Sequence, residues 1–255
     1  MNAMIYRNSA DGCTGVSEMK DGTRKTEEFR AGIYTVSVYP SESERAPVVY
    51  LPDIAGGGEE LLSTCRKLDC PPFHLVTVHI TDWDRALSPW PARSPGIPEA
   101  AAKDMGKAPF TMRIFEDSVI PEAEKLLGAG KVKRVLCGYS MAGLFAASAP
   151  FLSRSFDSIV CCSAVLWYPG FPGYFLSHAF LKRPESAYFS LGDSESETGN
   201  AFFEKVTGEI AAECGKRGAR SVFEISPGDH LTKPYTRLAR GIAWTTDTAN
   251  TGNDQ

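Results

Sequence analysis

Short apolar runs alternate along this chain with segments whose apolar residues recur every three or four positions. The runs are GIYTVSVYP (32–40), APVVYLPD (46–53), HLVTVHI (74–80), KVKRVLCG (131–138), FDSIVCCSA (156–164), SAYFSLGD (186–193) and RSVFEISPG (220–228). Their wealth of Val, Ile, Tyr and Phe, bounded by Gly, Pro and Asp, predicts strands. Helical spacing predicts helices over 58–68, 111–128, 141–153, 199–217 and 234–246. Strand and helix in alternation specify an α/β fold, a mainly parallel central sheet with helices on both faces. The first two strands have no helical pattern between them and are expected to pair with each other as an antiparallel N-terminal edge.

No internal repeat or low-complexity linker breaks the pattern, so one domain is expected over 1–246, with 247–255 a disordered polar tail. The segment 81–109 is exceptional: it carries five prolines and two tryptophans and follows a strand end, where open α/β sheets bind ligands. It is expected to cover a pocket as a wall or cap.

Composition narrows the partners. With 43% hydrophobic and 23% charged residues the chain can build a sizeable core. Its net charge of -4 and its lack of any Lys/Arg run argue against nucleic acid as a partner. No segment has the length of a membrane span, and the start MNAMIYRNSADGCTG lacks the basic-then-apolar pattern of a secretory signal, so a cytoplasmic location and no membrane partner are expected. The cysteine count, seven, is odd, and Cys137, Cys161 and Cys162 sit inside strand runs, which implies reduced buried thiols. Cys65 and Cys70 have no second Cys or His pair at ligand spacing, so no structural metal is expected.

Candidate chemistry begins at CGYSMAGLF (137–145), where a strand ends, Ser140 takes the turn and a helix begins, the context of a nucleophile elbow. Such a turn brings strand and helix so close that small residues are needed two positions either side. Gly138 meets that demand, Ala142 replaces the second glycine of GxSxG at the cost of one methyl, and Gly143 leaves room for the helix to pack. A serine here also fits a plain helix N-cap, so the partners matter. Of four histidines, His74 and His79 lie in a strand and His178 in the helical stretch YFLSHAFL. His230 follows the last strand on a Pro/Gly loop before the final helix, where a general base can project over the sheet's carboxyl edge.

The order Ser, acid, His places the acid after a strand between them, and SLGDSESET offers Asp193, Glu195 and Glu197. Glu195 is the first choice, three positions after Gly192 and long enough to reach an imidazole; Asp193 is second. The Met141 amide is one expected oxyanion donor, and Ile54, ahead of Ala55, is the other, because Pro52 has no N–H and Gly56–Gly58 let the backbone bend. A phosphate-loop reading of AGGGEEL fails, since it has no Lys and Glu59 and Glu60 would repel phosphate.

Through GYSMAGLFA, SAVLWYPGF, SLGDSESET and PGDHLTKPYTRLARGIAW, from about residue 32 to 245, the chain resembles the α/β-hydrolase superfamily, and within it the esterase D and enterochelin-esterase-like group. The resemblance implies Ser140 as nucleophile, His230 as base and the cluster after Gly192 as acid. It also implies hydrolysis of carboxylic or thio esters, siderophore lactones among them, although some such enzymes are acyl transferases and some work with a Ser–His pair alone. Trp90 and Trp167 fall on loops at the expected active-site edge and are candidates to bind an acyl or aromatic group. The expectation is a serine esterase acting on a small-molecule ester without a cofactor. Its rivals are an acyl transferase using the same residues and a non-catalytic binding scaffold on the same fold.

Overall fold

The computed structural model describes residues 26–54, 56–92, 103–195 and 200–247. Ala55, Glu197, the middle of the 81–109 segment and the tail beyond Asp247 therefore lie outside the described residues. Eight strands form one sheet: β1 (Glu27–Ala31), β2 (Tyr34–Tyr39), β3 (Val48–Asp53), β4 (His74–His79), β5 (Arg134–Tyr139), β6 (Ser158–Cys162), β7 (Ser186–Gly192) and β8 (Arg220–Ser226). Their order across the sheet is β1-β2-β4-β3-β5-β6-β7-β8. From β4 to β8 each neighbouring pair is parallel, whereas β2 runs antiparallel to both β1 and β4.

The expected antiparallel N-terminal edge is present, with different partners. The run at 34–39 pairs with β4, not with β3. Val48 to Pro52 are buried without a break, so β3 needs sheet neighbours and helices on all sides, and β4 and β5 flank it. The helix between β3 and β4 returns the chain outside β3, and β2, whose burial alternates, closes that side. The sequence pattern did not mark β1. Its Glu27, Glu28 and Arg30 make it an edge strand, joined to β2 by a two-residue turn with Gly32 at φ 60°.

Period-2 alternation divides the apolar runs between two cores. Val48, Tyr50, Leu136, Ile159, Cys161, Ala187 and Phe189 face one side; Val49, Leu51, Val135, Cys137, Val160, Cys162 and Tyr188 face the other. The second side is covered by α1 (Gly58–Lys67) and, last in the chain, α8 (Pro234–Thr246), through Leu61, Cys65, Leu238 and Ile242. Toward the first lie α2 (Trp83–Leu87), α3 (Ala108–Ile114), α4 (Ile120–Leu127), α5 (Met141–Leu152), α6 (Phe171–Ser177) and α7 (Ala201–Lys216).

The helix expected at 111–128 starts earlier and is interrupted. Between α3 and α4 the turn Phe115–Val119 is a π-helix, closed by the Ile120 N–H bonding to the Phe115 carbonyl. Pro121 has no N–H to offer and its ring crowds the carbonyl four residues back, so the turn widens. The 81–109 segment begins with the unexpected α2, and its two described ends are joined: the Gly106 amide bonds Ser88 Oγ at 2.8 Å and the Lys107 amide bonds the Arg85 carbonyl at 3.0 Å. The six described cysteines are free thiols, and among the described residues no helix is long and apolar enough to cross a membrane.

Candidate active site

The site is built where β5 ends. Ser140 holds φ 57° and ψ -120°, a conformation that costs a residue with a Cβ of order 1–3 kcal/mol and persists only when its surroundings enforce it. They do so from both sides. The Ser140 amide donates to the Cys162 carbonyl at 3.1 Å, and its carbonyl accepts from the amides of Leu144 (3.1 Å) and Val165 (3.2 Å). A Cβ on Gly138 would stand 2.0 Å from the Ala142 carbonyl oxygen, and one on Gly143 would stand 2.6 Å from the Ala164 Cβ. The close approach therefore falls on Gly138 and Gly143. At residue 142 a methyl is accommodated, fully buried within the apolar core.

The hydroxyl so presented has partners in line. Ser140 Oγ lies 3.1 Å from His230 Nε2, and His230 Nδ1 lies 2.7 Å from Glu195 Oε2. An ionised carboxylate can only accept, so Nδ1 carries the proton and Nε2 is left as the acceptor for the serine. The Glu195 side chain is 1% exposed, whereas that of His230 is 34% exposed. Burial alone would push the Glu195 carboxyl up; hydrogen bonds from His230, Ser163 and the Gly192 amide, with the charge of His230, outweigh it and hold the group below the ordinary carboxylate range. Asp193 is engaged elsewhere: its Oδ1 accepts from the Gly228 amide at 2.9 Å, which pins the loop leading to His230.

Two further side chains meet at this acid, and neither was anticipated from the sequence. Ser163, itself at φ 43°, donates to Glu195 Oε1 at 2.6 Å, and Arg237 Nη1 reaches the same oxygen at 3.1 Å. One signal for Arg237 was available. It shares a helix stripe with Gly241 and Thr245, which are buried, so its spacing is that of an inward position. Tyr139, next to the serine, donates from its hydroxyl to the His230 carbonyl at 2.7 Å.

The two expected oxyanion donors lie on different elements. Met141 opens α5, and the first N–H groups of a helix have no intrahelical acceptor. Ile54 follows the end of β3, whose neighbour in the sheet is β5, the strand that ends at the serine. Asp53 Oδ2 accepts the Gly57 amide at 2.6 Å, and Ile54 is exposed.

Of the two tryptophans, Trp167 is half-buried on the loop that contacts the Ser140 carbonyl, with its ring centroid 4.0 Å from that of Phe203. Trp90 packs against the chain at 168–174. Its indole N–H donates to the Pro169 carbonyl at 2.9 Å and its ring packs on Tyr168, Phe171 and Tyr174. The other histidines lie elsewhere: His74 is buried and accepts the Ser41 amide through Nδ1, His79 ends β4 exposed, and His178 stacks on Tyr174. A cavity of about 660 Å³ opens between β1, the π-turn and α4, lined by Glu27, Phe29, Asp117 and Glu122, and shares no residue with this cluster.

An eight-stranded, mostly parallel sheet with a strained serine at the end of β5 and Ser, acid and His in that chain order is the α/β-hydrolase fold. No protein-family model matches the chain and no curated protein does. Solved structures match its fold. An IroE-like serine hydrolase from Shewanella oneidensis is 20% identical at a TM-score of 0.68, over 84% of this chain and 75% of that one. The siderophore hydrolase EstA from Aspergillus nidulans is 19% identical at 0.67, over 91% and 98%. The BES protein from Bacillus cereus is 16% identical at 0.63, over 93% and 100%.

Proposed function

We propose that this protein is a serine hydrolase of carboxylic or thio esters that works through an acyl-enzyme. The observation that carries the reading is the relay itself: a serine held in a strained turn, 3.1 Å from an imidazole whose other nitrogen is 2.7 Å from a buried carboxylate. Ser140 Oγ attacks the ester carbonyl carbon as His230 Nε2 takes its proton, and Glu195 stabilises the resulting imidazolium. The carbonyl oxygen becomes an oxyanion facing the amides of Met141 and Ile54. Collapse breaks the bond to the leaving alkoxide or thiolate, which receives the proton from His230. Water, deprotonated by His230, then attacks the acyl carbon; the carboxylic acid leaves and Ser140 recovers its proton.

Trp167, with Phe203 against it, is the candidate wall for the acyl or aromatic part of the substrate, and Trp90 supports that wall from the cap. The names of the structural neighbours add siderophore esters to the substrates worth testing. A cytoplasmic location fits a chain that keeps its described cysteines as thiols.

The test is reaction with a fluorophosphonate probe, followed by turnover of p-nitrophenyl esters and thioesters of graded acyl length. The wild type is expected to label at Ser140 and release free acid. Ser140→Ala should neither label nor turn over, with Tm within about 2 °C of wild type because alanine carries the same Cβ into the same turn. Wild-type turnover in that variant would remove Ser140 from the mechanism, and acyl transfer to an added alcohol in place of free acid would mark a transferase.

A further inference from the structure

Arg237 is 2% exposed, and its guanidinium reaches six acceptors. Nε donates to Ser226 Oγ at 2.8 Å; the two Nη1 hydrogens are shared among Tyr139 Oη at 2.9 Å, Ser163 Oγ at 2.8 Å and Glu195 Oε1 at 3.1 Å; Nη2 donates to the carbonyls of Gly228 at 3.4 Å and Asp229 at 3.0 Å. These acceptors belong to the parts that must meet for chemistry: the acid, the loop that delivers His230, and the residue before Ser140. A cation this deep is costly unless its charge is matched, and neutral donors could satisfy the same carbonyls. What a neutral donor could not do is oppose the Glu195 charge from its far oxygen. Ser163 points the same way: a residue other than glycine is held at φ 43°, and its hydroxyl joins the guanidinium to Glu195 Oε1. With Ser163, Arg237 and the Gly192 amide on Oε1, Oε2 is kept for His230.

We infer that Arg237 is a positioning residue of the site, locking the Glu195 carboxylate toward His230 and opposing its charge from the far oxygen. The inference rests on the esterase reading. The other ionisable groups facing His230 do not substitute for this pair. Tyr139, from β5, is pushed up by burial. Asp229 on the same loop and Asp193 across from it are exposed, where water and salt screen them. Near neutral pH the field on the imidazole is therefore set by Glu195 and Arg237. Without the guanidinium the imidazolium is held more tightly, so activity should require a higher pH.

The experiment compares wild type, Arg237→Met and Arg237→Lys by kcat, KM and pH profile on one p-nitrophenyl ester, with sites counted by the fluorophosphonate burst, and follows the His230 ring by NMR against pH. In Arg237→Met the acid limb and the NMR midpoint should move up by about half to one pH unit, a fraction of the shift a charge in direct contact produces. Its kcat per labelled site should fall about ten- to a hundredfold, as for other outer-shell partners, with KM changed less. Arg237→Lys keeps the charge without the planar fork, so the acid limb should return while kcat recovers only in part. An unmoved acid limb in Arg237→Met, however low its kcat, is the behaviour of a residue that only supports the fold, and overturns the inference. If that variant does not fold, Arg237→Lys decides: a kcat per labelled site reduced at unchanged KM supports the inference, and wild-type kcat, or kcat and KM changed together, overturns it. A wild type that never labels would sink the hydrolase reading instead, and the NMR midpoint would still decide the role of Arg237.

Discussion

Glu195 has two oxygens with different tasks. Oε1 takes three donors, Ser163, Arg237 and the Gly192 amide, and Oε2 takes His230 alone. Replacement by glutamine keeps the shape and removes the charge, and an amide can offer Nδ1 no anionic acceptor. Glu195→Gln should lower kcat per labelled site by about 10⁴-fold, the scale seen when a triad loses its tautomer control. It should also cost about 3 kcal/mol, the low end for breaking a buried ion pair, since Arg237 keeps its other acceptors. Steady-state kinetics normalised to the probe burst separates the two effects. Asp193→Asn, which leaves the acceptor for the Gly228 amide, should stay within a few-fold of wild type in the same assay.

Among the elements, the ends of β7 and β8 have to approach closely for Glu195 and His230 to meet. Gly192 makes the approach possible: a Cβ there would sit 2.1 Å from the Gly228 carbonyl oxygen and 2.6 Å from Arg237 Nη2. The first of those is backbone and cannot turn aside. Gly192→Ala should therefore displace the His230 loop, lowering stability by about 1–3 kcal/mol in denaturant titration and turnover by more than the folded fraction explains. Gly130 is the control. A Cβ there meets nothing within 4 Å, so Gly130→Ala should leave both measurements near wild type.

For the whole molecule, the low-titrating carboxyl of Glu195 couples the site to acid stability. The unfolded chain takes up this proton first as pH falls, because its ordinary Glu value of about 4.3 lies above the folded one. The stability Glu195 contributes is thus full above about pH 4.3 and lost as pH falls through the folded value. Over that acid range the Tm of the wild type should drop more steeply than that of Glu195→Gln. Calorimetry at a series of pH values reads the difference, and parallel curves would mean that the carboxyl titrates alike in both states.

The sequence by itself determined the alternation of strand and helix, because a sheet buried on both faces needs unbroken apolar runs and its covering helices need a 3.6-residue stripe. Ser140, His230 and the short list around Glu195 were legible for a similar reason: the glycine-flanked turn, the Pro/Gly loop and the strand end are local patterns, each set within a few residues. Pairing was not local. Whether the run at 34–39 lay beside β3 or β4 depended on which strand the sheet buried most deeply, and β1, rich in charge, became a strand only by bonding to its neighbour's edge. Helical spacing marks Arg237 as an inward position and says nothing of what it meets there. Its meaning came only when the fold brought Ser163, Glu195 and the loop before His230 around it, because a buried charge is defined by what surrounds it and those surroundings lie far away along the chain.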